Sequence, residues 1–183
     1  MNLIFPKVST PEEIAELSRL AAEIWQEYYV SIITLEQIDY MIQQYQSVSA
    51  VTEQIQKQGY EYYFMQRDNS PVGYMSIRVE EGKMFLSKFY IGREHRGQGY
   101  ASLAFAFLEQ QCIERGIKLI WLTVNRHNES SIAVYEKKGF RTVREQVADI
   151  GNGFVMDDFV MEKAIQISNE AFGSVQQDES DNE

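Results

Sequence analysis

The residues best suited to chemistry form a glycine-rich segment, Arg96-Gly97-Gln98-Gly99-Tyr100-Ala101, between a predicted strand and a predicted helix. Such a loop directs several free backbone N–H groups at one point, where the helix dipole adds partial positive charge. Gly97 and Gly99 allow the backbone to approach a bulky anion, and Arg96 adds a fixed positive charge. The segment therefore predicts a phosphate site, with an ordinary tight turn as the alternative interpretation.

Known nucleotide motifs do not fit this loop. The sequence lacks the Gly-x-x-x-x-Gly-Lys-Ser/Thr pattern of nucleoside triphosphate sites, and the loop lacks the third glycine of a dinucleotide fingerprint. These two classes of ligand are therefore not favoured.

A second polar segment begins at Asn128, which suits the N-cap of a short helix. Ser131 and Tyr135 are four residues apart, so they share one face of that helix. The helix follows a strand predicted to run parallel to residues 83–91. Tyr135 is therefore expected at a cleft at the carboxyl ends of two strands, where α/β sheets bind ligands. An ordinary core tyrosine is the alternative interpretation.

Hydrophobic periodicity and turn residues predict the elements that position these motifs. Thr10 with Glu13, and Thr34 with Gln37, are typical of helix starts. In chain order we predict a strand at 3–8, helices after Thr10 and Thr34 and at 48–58, strands at 60–67, 72–80 and 83–91, a helix at 101–115, a strand at 119–124, a helix at 129–138, and strands at 140–150 and 154–165.

This order predicts an α/β fold with a mixed sheet. Residues 60–91 form an antiparallel meander, and the following strand–helix–strand unit requires a parallel crossover. The helix at 101–115 is expected to direct Ala104, Phe107, Leu108 and Gln111 or Cys112 at the core. The strand at 154–165 is expected at an edge of the sheet, where a homodimer could form.

Composition narrows the class of protein. The net charge is −10, and residues 168–183 carry five acidic and no basic residues. We therefore expect one domain at 1–167 and an acidic, disordered tail at 168–183. An acidic chain is a poor partner for nucleic acid. No apolar run reaches the length of a membrane span, and no signal-peptide pattern is present, so a cytoplasmic location is expected. The single cysteine, Cys112, is expected to be a buried hydrophobe.

Together the two motifs resemble those of the GNAT (Gcn5-related) N-acetyltransferase superfamily over about residues 72–163. Residues 96–101 fit its Gln/Arg-x-x-Gly-x-Gly/Ala cofactor motif, and Asn128-x-x-Ser131, Tyr135 and Gly139-Phe140 fit its next motif in order. The helical start and the meander extend the resemblance to nearly the whole chain except the acidic tail. The ending at 157–163 looks like the bacterial spermine/spermidine-type branch.

The resemblance implies acetyl-coenzyme A as cosubstrate and no metal. It implies that the backbone of Arg96, Gly97, Gln98, Gly99, Tyr100 and Ala101 holds the pyrophosphate. The backbone of Phe89, Tyr90 and Ile91 would pair with the pantetheine arm, and an N–H near Tyr90 or Ile91 would hold the developing oxyanion. Asn128 and Ser131 would contact the cofactor. Tyr135 would lie near the sulfur, and we expect it to act as general acid.

The acceptor implied by the resemblance is a primary amine that attacks the thioester directly. The acidic balance favours a small cationic amine such as a polyamine. The alternatives are a protein N-terminal or lysine acetyltransferase, a non-catalytic acyl-coenzyme A sensor, and an α/β interaction module that binds no coenzyme A.

The general base is left open by the sequence. Four carboxylates are candidates because their strands should border the substrate side: Glu61, Glu80, Asp157 and Asp158. His95 and His127 flank the motif loops and are expected to be bystanders. Several aromatic residues could line a pocket for a cationic amine or belong to the core. They are Trp25, Tyr28, Tyr29, Tyr60, Tyr62, Tyr63 and Phe64.

Overall fold

The computed structural model describes residues 2–167. Its helices and strands follow the predicted order closely. They are α1 (Pro11–Tyr28), α2 (Leu35–Tyr45), α3 (Val48–Lys57), β1 (Tyr60–Arg67), β2 (Ser70–Glu80), β3 (Lys83–Ile91), α4 (Tyr100–Glu114), β4 (Leu119–Asn125), α5 (Glu129–Lys137), β5 (Arg141–Gly151) and β6 (Phe154–Ala164). The tail predicted at 168–183 lies outside the described residues, and the proposed domain boundary stays a prediction.

Local side-chain chemistry starts the N-terminal helices where the sequence predicted. The Thr10 hydroxyl accepts from the Glu13 N–H, and the Glu13 carboxylate accepts from the Thr10 N–H at 2.9 Å, which completes a capping box. The Thr34 hydroxyl caps α2 by accepting from the Gln37 N–H, without the reciprocal bond of a capping box among the described residues. No helix within residues 2–167 combines the length and the apolar character needed to cross a membrane.

The six strands form one mixed sheet in the order β1-β2-β3-β4-β6-β5. Only the β3–β4 pair is parallel; every other neighbouring pair is antiparallel. The α/β fold with a mixed sheet, the meander and the parallel crossover are therefore confirmed.

Two sequence predictions about strands are wrong. Residues 3–8 form only isolated bridges, Ile4 with Gln66 and Lys7 with Tyr63, because Pro6 lacks the N–H that a continuous ladder needs. The strand at 154–165 is not an edge, since β6 pairs with β4 on one side and β5 on the other. At this end of the sheet the edge strand is β5. An exposed edge of residues 154–165 therefore no longer supports the expectation of a homodimer.

Each face of the sheet carries its own core. The face toward α4 and α5 buries side chains that include Met84, Leu108 and Ile120, and the face toward α1–α3 buries side chains that include Leu17 and Ile38. On α4 the core aromatic residues are Tyr100 and Phe105, whereas the expected Phe107 is only partly buried and stacks on Phe5. The helix therefore turns a slightly different face to the sheet than periodicity predicted.

The parallel strands separate soon after they meet. Pairing between β3 and β4 is limited to Met84 with Ile120 and Phe85 with Trp121. One residue later the β2–β3 register shifts, since Ile77 pairs with Leu86 and Ser76 with Lys88, which leaves Ser87 as the extra residue of a bulge. A bulge bends its strand. The carboxyl-terminal half of β3 is thus directed away from β4, and a gap opens in the sheet.

Candidate active site

The gap between β3 and β4 presents free backbone groups of β3. Gly92 donates its N–H to the Val72 carbonyl on the β2 side at 2.9 Å. Because orientation alternates along an antiparallel pair, the N–H groups of Phe89 and Ile91 face the gap. The N–H of Tyr90 faces β2. Of the two residues suggested as oxyanion donors, Tyr90 and Ile91, only Ile91 therefore directs its N–H into the gap.

The glycine-rich loop lies at the carboxyl end of this gap. Gly97 and Gly99 adopt φ angles of 74° and 83°, which residues with a Cβ rarely adopt. Within the described chain, none of the backbone N–H groups of residues 97–102 donates a hydrogen bond. The loop and the start of α4 line a cavity of about 460 Å³. This arrangement of unpaired donors at a helix N-terminus suits a phosphate group.

The side chain of Arg96 does not reach freely into this cavity, contrary to the sequence prediction of a fixed charge for the anion. Its guanidinium pairs with the Glu27 carboxylate at 2.7 Å, lies 4.9 Å from the centre of the Tyr28 ring, and donates to the Ile91 carbonyl at 2.9 Å. Arg96 therefore ties the loop to the end of α1 and to β3. Its charge is largely offset by Glu27.

Two lysines that the sequence analysis missed supply positive charge instead. Lys137 and Lys138 line the same cavity as the glycine-rich loop. The Lys138 ammonium donates to the Ser102 hydroxyl at 2.6 Å, which holds it beside the N-terminus of α4. In the sequence, the position of Lys137 and Lys138 directly after Tyr135 could have indicated that they lie near the glycine-rich loop.

Asn128 and Ser131 are brought together by Tyr28, which the sequence analysis had assigned to an aromatic pocket or the core. The Tyr28 hydroxyl donates to Asn128 Oδ1 at 2.6 Å and lies 2.6 Å from Ser131 Oγ. Asn128 Oδ1 also caps α5 by accepting from the Ser131 N–H. The end of α1 therefore fixes the start of α5.

We expect Tyr28→Phe to lower the free energy of unfolding by about 1–2 kcal/mol, because Asn128 and Ser131 each lose a partner where little water can replace it. Urea denaturation measures the change. Tyr60→Phe is the matched control, since no hydrogen bond to the Tyr60 hydroxyl is found within residues 2–167, and it should change stability by less than about 0.5 kcal/mol. Equal losses in the two variants would contradict the bracing role of Tyr28.

Tyr135 lies where the two principal cavities meet. It lines the cavity of the glycine-rich loop and a second cavity of about 330 Å³, together with Phe89, Tyr90 and Ser131. Only 9% of its surface is exposed, and its ring packs against Phe105 and Phe140. Burial raises the pKa of Tyr135 well above its usual value. Its hydroxyl therefore stays protonated at neutral pH.

The second cavity lies beneath α1–α3, and of the residues from 2 to 167 only Asp158 contributes a carboxylate to it. This residue is 4% exposed and, within the described chain, makes no side-chain hydrogen bond or ion pair. Burial, with a smaller contribution from the charge of Asp157, raises the pKa of Asp158 to about 6. A carboxylate with this pKa is mostly ionised at pH 7 and can still accept a proton.

The other three candidate bases are ion-paired and do not line either cavity. Glu61 pairs with Arg115 at 2.9 Å, Glu80 with Arg78 at 2.8 Å, and Asp157 with Arg126 at 2.7 Å. The Arg115 hydrogen bond and the nearby charges outweigh burial and hold the pKa of Glu61 below its usual range. Of the four carboxylates, Asp158 alone is placed for proton transfer at the gap.

The same cavity is lined by one cationic side chain of the described chain, Lys88, which the sequence analysis also missed. Its ammonium donates to the hydroxyl of Ser87 at 2.9 Å and, within residues 2–167, meets no carboxylate. Burial lowers the pKa of Lys88 to about 8. A lysine in the interior of a mainly apolar and aromatic strand was the available signal in the sequence.

The remaining predicted site residues divide between cavity walls and core. Tyr29 and Tyr60 line the second cavity, and His95 lines the first. His127 is exposed outside both. The rest of the aromatic group is core: Trp25, Tyr62, Tyr63 and Phe64. Cys112 is buried, as expected. Within residues 2–167, no group of three His, Cys, Asp or Glu side chains could hold a metal ion.

Comparison with known proteins gives relatives of one kind. A model of the acetyltransferase (GNAT) family matches residues 18–140. An uncharacterized N-acetyltransferase in the pepI 3′ region of Lactobacillus delbrueckii subsp. lactis is 24% identical over 112 residues, which cover 57% of this chain and 64% of the relative. The uncharacterized N-acetyltransferase YycN of Bacillus subtilis is 34% identical over 74 residues, 38% of this chain and 47% of the relative.

Among solved structures, the PaiA N-acetyltransferase from Thermoplasma acidophilum in complex with coenzyme A has the same fold. It superimposes with a TM-score of 0.74 at 22% identity, over 90% of this chain and 99% of its own. Each of the two curated relatives is matched over less than two thirds of its own length and less than two thirds of this chain.

Proposed function

Because the chain belongs to the acetyltransferase (GNAT) family, we propose that it transfers the acetyl group of acetyl-coenzyme A to a primary amine. The observation that carries this proposal is the gap between β3 and β4, where the free N–H groups of β3, the hydroxyl of Tyr135 and the carboxylate of Asp158 converge. Acetyl transfer needs a group of each kind: an oxyanion donor, an acid and a base.

The residues present suit the two ends of coenzyme A. The unpaired N–H groups of residues 97–102 and the ammonium of Lys138 suit its pyrophosphate. A Cβ on Gly97 or Gly99 would meet no atom within 4 Å, so the space in front of the loop is open for a ligand. Phe89 and Ile91 offer the edge of a strand, with which the amide groups of a pantetheine arm can pair.

When bound, acetyl-coenzyme A supplies a thioester carbonyl for the amine to attack and a thiolate as the leaving group. Asp158 takes the proton that the amine must lose, directly or through a water. The N–H of Ile91 stabilises negative charge on the carbonyl oxygen. Tyr135 gives its phenolic proton to the departing sulfur. Burial penalises the thiolate as well as the tyrosinate, so the two penalties offset each other and the raised pKa of Tyr135 does not by itself oppose the transfer. The tyrosinate then regains a proton from solvent.

The acceptor predicted from the sequence is a small cationic amine such as a polyamine, and Asp158 supports an amine that arrives protonated. The comparisons do not extend to the spermine/spermidine-type branch, so the polyamine stays a prediction. A peptide N-terminus or a lysine side chain is the alternative acceptor. Turnover of any amine excludes the alternative of a non-catalytic sensor.

Binding of acetyl-coenzyme A is the first test. At 100 times the dissociation constant, the ligand should raise the melting temperature by about 5–10 °C, since only the folded state binds it. Gly99→Glu should abolish this shift because a carboxylate faces the pyrophosphate. Gly82→Glu is the matched control, with a similar φ of 74° in the distant β2–β3 turn. Absence of a shift in the unmodified protein would contradict the proposed function.

A further inference from the structure

The charges inside the second cavity restrict its ligand. Among the lining residues that belong to the described part of the chain, 2–167, Lys88 is the only basic side chain and Asp158 the only acidic one. The remaining walls are aromatic, aliphatic or uncharged polar, and include Tyr29, Tyr45 and Met156. A ligand that satisfies both charges must carry one cationic and one anionic group.

The two charges do not neutralise each other directly. Lys88 bonds only to Ser87, and Asp158 makes no ion pair within residues 2–167. Lys88 lies on β3 and Asp158 on β6, with β4 and the gap between them. Their Cα atoms are therefore separated by at least two strand spacings, about 10 Å. Both side chains line a cavity of about 330 Å³, which can admit a small molecule.

The position of each charge along the strands orients that molecule. Asp158 pairs with Asn125 at the carboxyl end of β4, the end at which Ile91 and Tyr135 face the gap. Lys88 lies three residues before Ile91, deeper under α1–α3. The amine to be acetylated therefore meets Asp158, and the anionic group meets Lys88.

Lys88 is partly buried and, within residues 2–167, has no counter-ion, which costs free energy unless a ligand supplies the opposite charge. Burial lowers the pKa of its ammonium to about 8, so Lys88 is still mostly a cation at pH 7. A polyamine would place a second ammonium beside it, and like charges in a poorly hydrated cavity repel strongly.

We propose that the acceptor is an amino acid or a similar small amino carboxylate, whose carboxylate binds Lys88 while its amine is presented at Asp158. This inference rests on the proposed acetyl transfer and specifies its substrate class. Lys88 is thus a specificity residue. A carboxylate–ammonium pair forms a charge-assisted hydrogen bond in a site from which water is largely excluded.

The test compares each common amino acid with its own carboxamide, which has the same size and no negative charge. Spermidine serves as the polycationic probe. Release of the coenzyme A thiol measures turnover, and calorimetric titration into the protein saturated with coenzyme A measures binding. We expect kcat/KM for at least one amino acid to exceed that for its carboxamide by 10-fold or more.

Lys88→Met should lower kcat/KM for that amino acid by about 10- to 100-fold, the loss expected for one charge-assisted hydrogen bond, and should leave the carboxamide unchanged. Lys88→Arg should keep most of the preference. Lys83→Met removes an exposed lysine from the same strand and should change neither. The melting temperature of Lys88→Met should equal or exceed that of the unmodified protein, since a buried charge is removed.

The outcomes separate this inference from the proposed function. Turnover of spermidine or carboxamides in preference to amino acids would overturn the inference and leave acetyl transfer standing. Equal loss of amino acid and carboxamide turnover in Lys88→Met would also overturn it. Failure of a protein that binds acetyl-coenzyme A to acetylate any amine of the panel would overturn the inference, whereas failure to bind acetyl-coenzyme A would overturn the proposed function as well.

Discussion

Replacing Tyr135 with phenylalanine should lower kcat by about 10²- to 10⁴-fold, the range expected when one positioned acid is lost. The change removes a single oxygen from a ring that packs among Phe89, Phe105 and Phe140. Within the described chain that oxygen makes no hydrogen bond to protein, so stability should change by less than about 1 kcal/mol. The affinity for acetyl-coenzyme A should also be nearly unchanged.

Steady-state turnover, calorimetric titration with coenzyme A and thermal unfolding separate these effects. Tyr63→Phe is the matched control, because Tyr63 lies in the core and bonds to Glu61 away from the gap. It should leave kcat unchanged. Burial raises the pKa of Tyr135 far above the assay range. Loss of the Tyr135 proton should therefore cause no fall in kcat at the alkaline end of the pH profile. Wild-type kcat in Tyr135→Phe would refute the role of general acid.

Replacing Asp158 with asparagine should lower kcat/KM by about 10²- to 10⁴-fold, because the amide has the shape of the carboxyl group and cannot take a proton. The carboxylate is the active form, and its pKa is raised to about 6 by burial and then by Asp157. The kcat/KM of the unmodified protein should therefore rise with pH through about 6 and then level off. This rise should be absent in Asp158→Asn.

Stability should change in the opposite direction. A carboxyl group whose pKa is raised on folding favours the folded state in its protonated form, and this contribution is lost as pH rises through the folded value of about 6. At pH 8 the ionised Asp158 therefore lowers the free energy of unfolding. Asp158→Asn should be more stable than the unmodified protein at this pH by about 1–3 kcal/mol. At pH 4 the difference should nearly vanish.

Chemical denaturation at the two pH values, beside rates over pH 5–9, measures both effects. Asp157→Asn is the matched control, since Asp157 is adjacent, is paired with Arg126 and lies outside both cavities. It should retain the rise in rate near pH 6. Asp158→Asn with normal rates and an unchanged pH profile would exclude Asp158 as the base.

The homology to acetyltransferases was visible in the sequence because its two motifs are local. The conformation of residues 96–101 depends on two glycines and the start of one helix, and the Asn128 cap depends on a neighbour three residues away. Interactions at such short range are encoded within a few residues of sequence. The helix caps and the bounds of β1 and β3 were predictable for the same reason.

The base and the acceptor subsite could not be found in this way. Glu61, Glu80, Asp157 and Asp158 are equivalent as sequence, and only their neighbours separate them. Three pair with an arginine, and Asp158 is buried and has no side-chain partner among residues 2–167. The shift of a carboxyl pKa depends on burial and on charges from distant elements. Periodicity carries no information about either.

The sequence by itself determined the order of the helices and strands from residue 11 onward, the glycine-rich loop before α4 and the place of Tyr135 on the helix after β4. Tertiary structure alone decided that β6 inserts between β4 and β5, that a bulge at Ser87 opens the gap, and that Lys88 and Asp158 face one cavity. The physical reason is the distance along the chain over which each kind of interaction acts. Caps and turns are settled by neighbours along the chain, whereas strand order, register and burial are settled by contacts between residues far apart in it.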